Sequence, residues 1–368
     1  MILIAFLSLA FGAPKIFSEE IKASHSHKEE ISKFLSDNFL EYDELFSNNK
    51  RARSEEFLWG TRYTWQYPYE TIEHDKIGYI HHPNSEIRHI TRSKDKIIFD
   101  ATYSTDHFSR RKTQLQDDDR EFFALFFGCS YIQGVGVQDE ETLPSYFGQR
   151  ASMIQPYNYS IGGSGPHMLL AMLESFDFKE QVIQENGVFI YVYADFHIPR
   201  ANAFAQELSW LKKTPYYKKN NSGEMQYQGP IEEARPHRNR LYNFMNETIK
   251  WSSWTNRNFP PRITKSHLRY TCDLITASKD KFESIYPENE FIVWHHPIEG
   301  HMNHWVKDCL KRNNVTVIDQ KEKMFVGKSH RIHLDGHPTP FANKEVADIL
   351  WKDIRHFYSK FYAESIPE

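Results

Sequence analysis

Short, unbroken apolar runs and segments with apolar residues every three or four positions alternate through the last two thirds of the chain. The clearest run is FFALFF, residues 122 to 127, which breaks at Gly128-Cys129-Ser130 into GVGVQDEE. A short apolar run ended by glycine predicts a strand buried on both faces, as in a parallel sheet. Ligands of open α/β sheets gather beyond the carboxyl ends of such strands, and Ser130 stands at that edge. Beyond it the pattern predicts helix TLPSYFGQRASM, strand PYNYSI, helix PHMLLAMLESF, strand GVFIYVYA, strands FIVWHH and VTVID, and a final helix from Phe341 to about Phe361. Five strands joined by crossover helices make a doubly wound, three-layer α/β fold of flavodoxin-like type, with right-handed crossovers and loops clustered above the strand ends.

The pattern differs before Phe122. Residues 27 to 47 place Ile31, Phe34, Leu35, Phe39 and Leu45 near helical spacing, which predicts an amphipathic helix. IGYIHHPNSEIRHITR and DKIIFDATYSTD, separated by Ser93-Lys94, are rich in β-branched and aromatic residues and predict antiparallel strands. Residues 13 to 119 are therefore expected to form an α+β accessory region, closed by the polar run QLQDDDRE. The remainder, 120 to 368, is the sheet domain, with an insertion at about 200 to 265 after its third strand. That insertion holds a hairpin pattern, YYKKNNSGEMQYQGP, and an amphipathic helix pattern, RLYNFMNETIKWSSW, and would overhang the strand ends.

Composition changes this picture little. At 368 residues, 40% hydrophobic and 26% charged, with a net charge of -4, the chain has ordinary globular values. Basic pairs such as Arg110-Arg111 and Lys218-Lys219 are scattered, without the clustered stripe of a nucleic-acid binder. MILIAFLSLAFG, the first twelve residues, lacks charge and is too short to span a bilayer. With small residues at Ala10 and Gly12 it fits the core of a signal peptide, although no Lys or Arg precedes it, and export to a periplasmic or secreted location is expected. No other stretch reaches membrane-spanning length. The three cysteines, at 129, 272 and 309, make no disulfide scaffold and no CxxC pair. Cys272 and Cys309 are placed to pair in an oxidising compartment or to stay as buried thiols, and spacing does not choose.

Chemistry concentrates at three places. Ser130 needs a base to take its proton and an acid to orient that base before it can act as a nucleophile. Asp335-Gly336-His337-Pro338 supplies both just ahead of the last helix; the plain alternative is a helix-capping Asp and an exposed His. Between them, NYSIGGSGPHMLL puts Gly162, Gly163 and Gly165 after the second strand, where a backbone N–H can approach a substrate oxygen or the glycines can simply turn the chain. WHHPIEGHMNH, residues 294 to 304, gathers four histidines and Glu299 but no HExxH spacing, so no metal is expected. Gly134-Val135-Gly136 lacks the rest of a phosphate loop or a dinucleotide fingerprint, and GCSYIQG is not a GxSxG elbow.

Taken together, FFGCSYIQGVGVQDEETLP, NYSIGG and DGHP resemble, in order, the nucleophile, oxyanion and acid–base blocks of the SGNH/GDSL hydrolases, with GCS where many members have GDS. The resemblance covers about residues 121 to 355 outside the insertion. It implies Ser130 as nucleophile, the backbone of Ser130 and Gly163 as oxyanion donors, and Asp335 with His337 as orienter and base. IIFDATYSTDHFSRR is similar to a segment ahead of the nucleophile block in exported bacterial members, where Arg110 and Arg111 would tie the accessory region to the core. One block departs: VYADFHIPR has Asp195 nearest the position of the family's oxyanion Asn. An ionised carboxylate there repels a developing oxyanion, so Asp195 is expected to orient His197 as a replacement donor, the alternative being a helix cap and a surface His. The resemblance implies a serine esterase or deacylase acting on an O-acyl ester of a carbohydrate or lipid, needing no cofactor. An acyltransferase passing the acyl group to a glycan hydroxyl, and a carbohydrate- or lipid-binding protein without turnover, are the alternatives.

Overall fold

The computed structural model describes residues 71–93, 96–114, 119–245, 259–260, 262–319 and 327–361, with the backbone of 39–40 and 62–65. The expected signal peptide lies outside the described residues. So does the helix expected over 27 to 47, except for β1 (Phe39–Leu40). Those two residues are strand rather than helix, because their backbone pairs antiparallel with β12 (Ile263–Thr264).

The accessory strands are β2 (Arg62–Trp65), β3 (Thr71–His74), β4 (Gly78–His81), β5 (Glu86–Ser93) and β6 (Lys96–Ser104). β3 pairs with β4, and β5 lies between β2 and β6, all antiparallel. Along β5 the buried Ile87, His89 and Thr91 alternate with the exposed Glu86, Arg88 and Arg92, Ile90 alone breaking the period, so one face is a packing face.

The central sheet consists of β7 (Phe122–Phe127), β8 (Ile154–Asn158), β9 (Asn186–Tyr193), β13 (Glu290–His295) and β14 (Thr316–Ile318), all parallel, in the order β14-β13-β9-β7-β8. This is the flavodoxin-like order, with its switch point between β7 and β9. β7, β8, β9 and β13 bury both faces nearly throughout, while the edge strand β14 is only half-buried. Phe123, Leu125, Phe127, Phe189 and Tyr191 pack on one side, against α3 (Pro166–Ser175), α6 (Lys265–Ile285) and α7 (His304–Arg312). Phe122, Ala124, Phe126, Val188 and Ile190 pack on the other, against α2 (Leu143–Arg150) and α8 (Pro340–Tyr358). The three layers explain why β7, β9 and β13 read as near-continuous apolar runs rather than alternating.

The insertion forms the expected hairpin, β10 (Pro215–Lys219) with β11 (Met225–Pro230). The expected helix at 240 to 254 begins within α5 (Pro236–Asn243), and residues 246 to 258 lie outside the described set. Helix α6 was not foreseen. It is the crossover into β13, and Cys272 on it is disulfide-bonded to Cys309 on α7.

Candidate active site

Ser130 opens α1 (Ser130–Gln133), a single turn directly after β7. Gly128 allows this tight entry, since a Cβ there would lie 2.5 Å from Ile132 Cγ1. Gly134 ends the turn in the left-handed region, φ 87°, and donates its N–H to Ser130 O. Arg111, 1% exposed, holds the turn from outside. Its guanidinium donates to the carbonyls of Gln133 and Gly134, each at 2.6 Å, to Val137 O at 2.7 Å and to Asp139 Oδ1 at 3.0 Å. Arg110 faces another way, to Asp106, Tyr159 and the carbonyl of Gln181. Both arginines therefore tie the accessory region to the sheet domain.

At the far end of the sequence, Asp335 and His337 sit on a loop closed by Ile332 N–H to His337 O at 2.8 Å, with Leu334 and Gly336 in the left-handed region. Asp335 Oδ1 meets His337 Nδ1 at 2.5 Å and accepts the His337 backbone N–H at 3.2 Å. Burial alone would raise the Asp335 carboxyl; the facing His337 and these hydrogen bonds outweigh it and hold the carboxyl below its usual range. Nδ1 is thus committed to Asp335, and Nε2 is the nitrogen left for a substrate-side proton. The His337 ring lies edge-on to Tyr131, centroids 5.5 Å apart, and Tyr131 directly follows Ser130.

The glycine turn comes to the same place. A Cβ on Gly162 would stand 3.8 Å from Ser130 Cβ, and Gly163 has φ 77°. Two other regions converge on this turn. Tyr79 of β4 donates its hydroxyl to Gly162 O at 3.0 Å, and a Cβ on Gly163 would lie 2.9 Å from the indole of Trp210, a half-exposed residue of the insertion.

The expectation for Asp195 and His197 is corrected. Asp195 does not orient His197: its Oδ1 accepts the backbone N–H of Asn303 at 3.1 Å, at the entry to α7. His197 opens α4 (His197–Ala201), is fully buried, and pairs Nδ1 with the Tyr191 hydroxyl at 2.9 Å, while Nε2 has no hydrogen-bond partner. Burial and the nearby Arg200 cation keep this imidazole well below its usual pKa, hence neutral. Burial lifts the Asp195 carboxyl to about 7 against the Asn303 hydrogen bond. The physical reason for the error is that both residues lie beyond the end of β9, Asp195 in the connecting turn and His197 as the first residue of α4, where residues two apart no longer share a face as they would in a strand.

The histidine-rich segment divides likewise. His295 is buried 3.7 Å from Asp319, His296 caps the following turn by accepting from Ile298 N–H, and Glu299 turns to Tyr131 and Arg331. Among the described residues no group of three or more His, Cys, Asp or Glu side chains could hold a metal ion, and no helix is long and apolar enough to cross a membrane. Sequence reasoning passed over Tyr131, Arg331 and His89. His89, buried on β5, has Tyr103 hydroxyl 3.0 Å from Nδ1 and feels the charge of Asp335, though burial pushes it down to about 4. Arg331 and His89 belong to no motif and Tyr131 stood inside the nucleophile block without a role; adjacency of Tyr131 to Ser130, and of Arg331 to the DGHP block, was the only signal.

No protein-family model and no curated protein sequence matches the chain. Solved structures do. A psychrotrophic esterase from Pseudoalteromonas sp. is 14% identical with a TM-score of 0.37, covering 65% of this chain and 100% of its own. An acetyl xylan esterase from Butyrivibrio proteoclasticus is 8% identical, TM-score 0.37, covering 68% and 67%. A lipase/acylhydrolase from Enterococcus faecalis is 11% identical, TM-score 0.34, covering 64% and 96%. Other neighbours are described as GDSL-family lipolytic proteins.

Proposed function

We propose that this chain is a serine ester hydrolase in which Ser130 is the nucleophile, His337 the general base and Asp335 its orienter. The supporting observation is the Asp335–His337 pair held edge-on to Tyr131, the residue after Ser130, although the two segments lie about two hundred positions apart in sequence. Ser130 Oγ attacks the ester carbonyl as His337 Nε2 takes its proton. The carbonyl oxygen gains negative charge, which the backbone N–H groups of Ser130 and Gly163 stabilise. The C–O bond to the alcohol breaks as His337 returns the proton to that oxygen. Water, deprotonated by the same imidazole, then attacks the acyl-enzyme and releases the acid and Ser130.

The substrate class in this proposal is an O-acyl ester of a carbohydrate or lipid. The half-exposed Trp210 indole and the Tyr79 hydroxyl over the glycine turn support an alcohol with both apolar and hydrogen-bonding surface. Export belongs to the same proposal, supported by the apolar N-terminal run and by the Cys272–Cys309 disulfide, a bond that persists in oxidising compartments. The test is reaction with a serine-directed fluorophosphonate followed by peptide mapping: label is expected on Ser130 and lost with His337→Ala. Label elsewhere, or none on folded protein that still hydrolyses esters, rejects the mechanism.

A further inference from the structure

Arg331 lies four residues before Asp335 and anchors three segments at once. Its Nη1 donates to the carbonyl of Gly336, inside the acid–base loop, and to the Tyr131 hydroxyl, each at 2.9 Å. Its Nη2 donates to Glu299 Oε1 at 2.9 Å and to Ile298 O at 3.0 Å. The triangle closes through Tyr131, whose hydroxyl donates to the same Glu299 Oε1 at 2.8 Å. The Glu299 side chain is 9% exposed and that of Arg331 26%, so the ion pair is largely shielded from water. The Tyr131 ring, fixed at its hydroxyl end by this triangle, packs edge-on against His337, Phe196 and His296, at centroid distances of 5.5, 5.4 and 5.4 Å.

Burial of these groups without function would be a poor use of polar residues, because a well-packed apolar trio of similar volume is often as stable. What an apolar trio lacks is direction. A planar guanidinium with defined donor angles fixes the distance between the loop it sits on and the helix it reaches. Here the loop carries the Asp335–His337 pair and the helix begins with Ser130.

We propose that Arg331 is a positioning residue that, through Tyr131 and Glu299, locks the acid–base loop to the nucleophile turn and so sets the approach of His337 to Ser130. The inference rests on the hydrolase reading above. It gives the IEG portion of the histidine-rich segment a role: Glu299 is the shared acceptor that holds Arg331 and the Tyr131 hydroxyl in register.

Because a misplacement of about 1 Å in a reacting pair costs on the order of a hundredfold in rate, Arg331→Met is expected to lower kcat by about that factor with KM within a few-fold of wild type. Tyr131→Phe removes one hydroxyl, leaves the ring against His337, and is expected to lower kcat by roughly tenfold while the protein remains folded. The rate of Ser130 modification by a fluorophosphonate should fall in parallel with kcat in both variants. The double variant should be no slower than Arg331→Met alone, since the residues act as one unit. Guanidinium ion at millimolar concentration should restore part of the turnover of Arg331→Ala. A purely structural role predicts a lowered melting temperature in Arg331→Met with wild-type kcat and labelling rate, and that result overturns the proposal. Should Arg331→Met fail to fold, Tyr131→Phe decides: kcat and labelling equal to wild type reject the clamp. Ser130→Ala separates the two levels, because retained turnover there sinks the hydrolase reading, whereas a dead Ser130→Ala beside fully active Arg331 and Tyr131 variants sinks the clamp alone.

Discussion

At the scale of single residues the site is a division of labour between groups that titrate and groups that hold them. Ser130→Ala and His337→Ala should each cost several orders of magnitude in turnover of a short-chain aryl ester, and the double variant little more than either, because in the proposed mechanism both belong to one proton-transfer unit. Initial rates, with circular dichroism to confirm folding, check this; wild-type-like turnover by Ser130→Ala would end the mechanism. Asp195 illustrates the other kind of residue. Its carboxyl, raised to about 7 chiefly by burial, contributes stability that is fully present below the unfolded pKa of about 3.9 and is lost as pH rises through about 7. Asp195→Asn removes that loss while its amide oxygen can still accept the Asn303 N–H. Relative to wild type, the variant should gain roughly 2 to 3 kcal/mol between about pH 5 and about pH 8, with ester turnover changed by no more than a few-fold. Urea unfolding at the two pH values measures it; a pH-independent difference would place the carboxyl in water or in a permanent ion pair. What misled the sequence reading at this residue was nearness along the chain. Asp195 and His197 are two apart, yet a strand end and a one-turn helix send one to the start of α7 and the other to Tyr191.

Among elements, the central strands were legible and the crossover helix α6 was not, for a single physical reason. A strand buried on both faces is apolar at every position, as FFALFF and GVFIYVY are, so its signal is concentrated in a few residues. Helix α6 packs one face on the sheet, through Leu268, Cys272, Leu274, Ile275 and Phe282, and scatters Lys, Arg, Asp, Glu, Ser and Thr between these positions along its 21 residues. Its neighbourhood therefore resembled the end of a polar insertion. The glycine turn and the DGHP loop were readable because the proposed chemistry demands their residue types. The accessory region's hold on α1 was visible only as an Arg-Arg pair, since a guanidinium that binds carbonyls leaves no partner motif in the sequence. Arg111 is such a residue, stacked 4.1 Å from the Tyr103 ring and bonded to three carbonyls and Asp139. Arg111→Met should destabilise the protein by about 3 to 5 kcal/mol, the cost of leaving three carbonyls without their donor and Asp139 without its cation, although the Ser104 N–H still donates to that carboxylate. It should also lower kcat, because α1 loses the support outside its last turn. Urea titration beside steady-state kinetics tests both; a loss below about 1 kcal/mol would mean that water replaces the guanidinium readily.

The molecule as a whole brings together residues from its accessory region, sheet domain and insertion over one set of strand ends, and its covalent chemistry bears on where that assembly works. The Cys272–Cys309 bond closes a loop of sequence separation 37 between two helices on the same face of the sheet. In the chain-entropy account a loop of that size is worth about 4 kcal/mol, so Cys272→Ser/Cys309→Ser should lower the unfolding free energy by about that amount. Both half-cystines lie within helices rather than at the carboxyl ends of the strands where Ser130 sits, so turnover at low temperature should survive. Export and the disulfide then make one joint prediction. A chain carried through the membrane should lose its first ~10 to 13 residues at the small positions Ala10 and Gly12, and should gain the bond in the oxidising space beyond. Cys129, 2% exposed at the end of β7, should remain a thiol in that same protein, because its partners of choice are both taken and no reagent reaches it without unfolding. Intact mass and N-terminal sequencing of protein purified from its native host read all three features at once. Protein that keeps Met1 and carries three free thiols would place the chain in a reducing compartment and remove export from the proposal, while leaving the Ser130 chemistry to stand on its own residues.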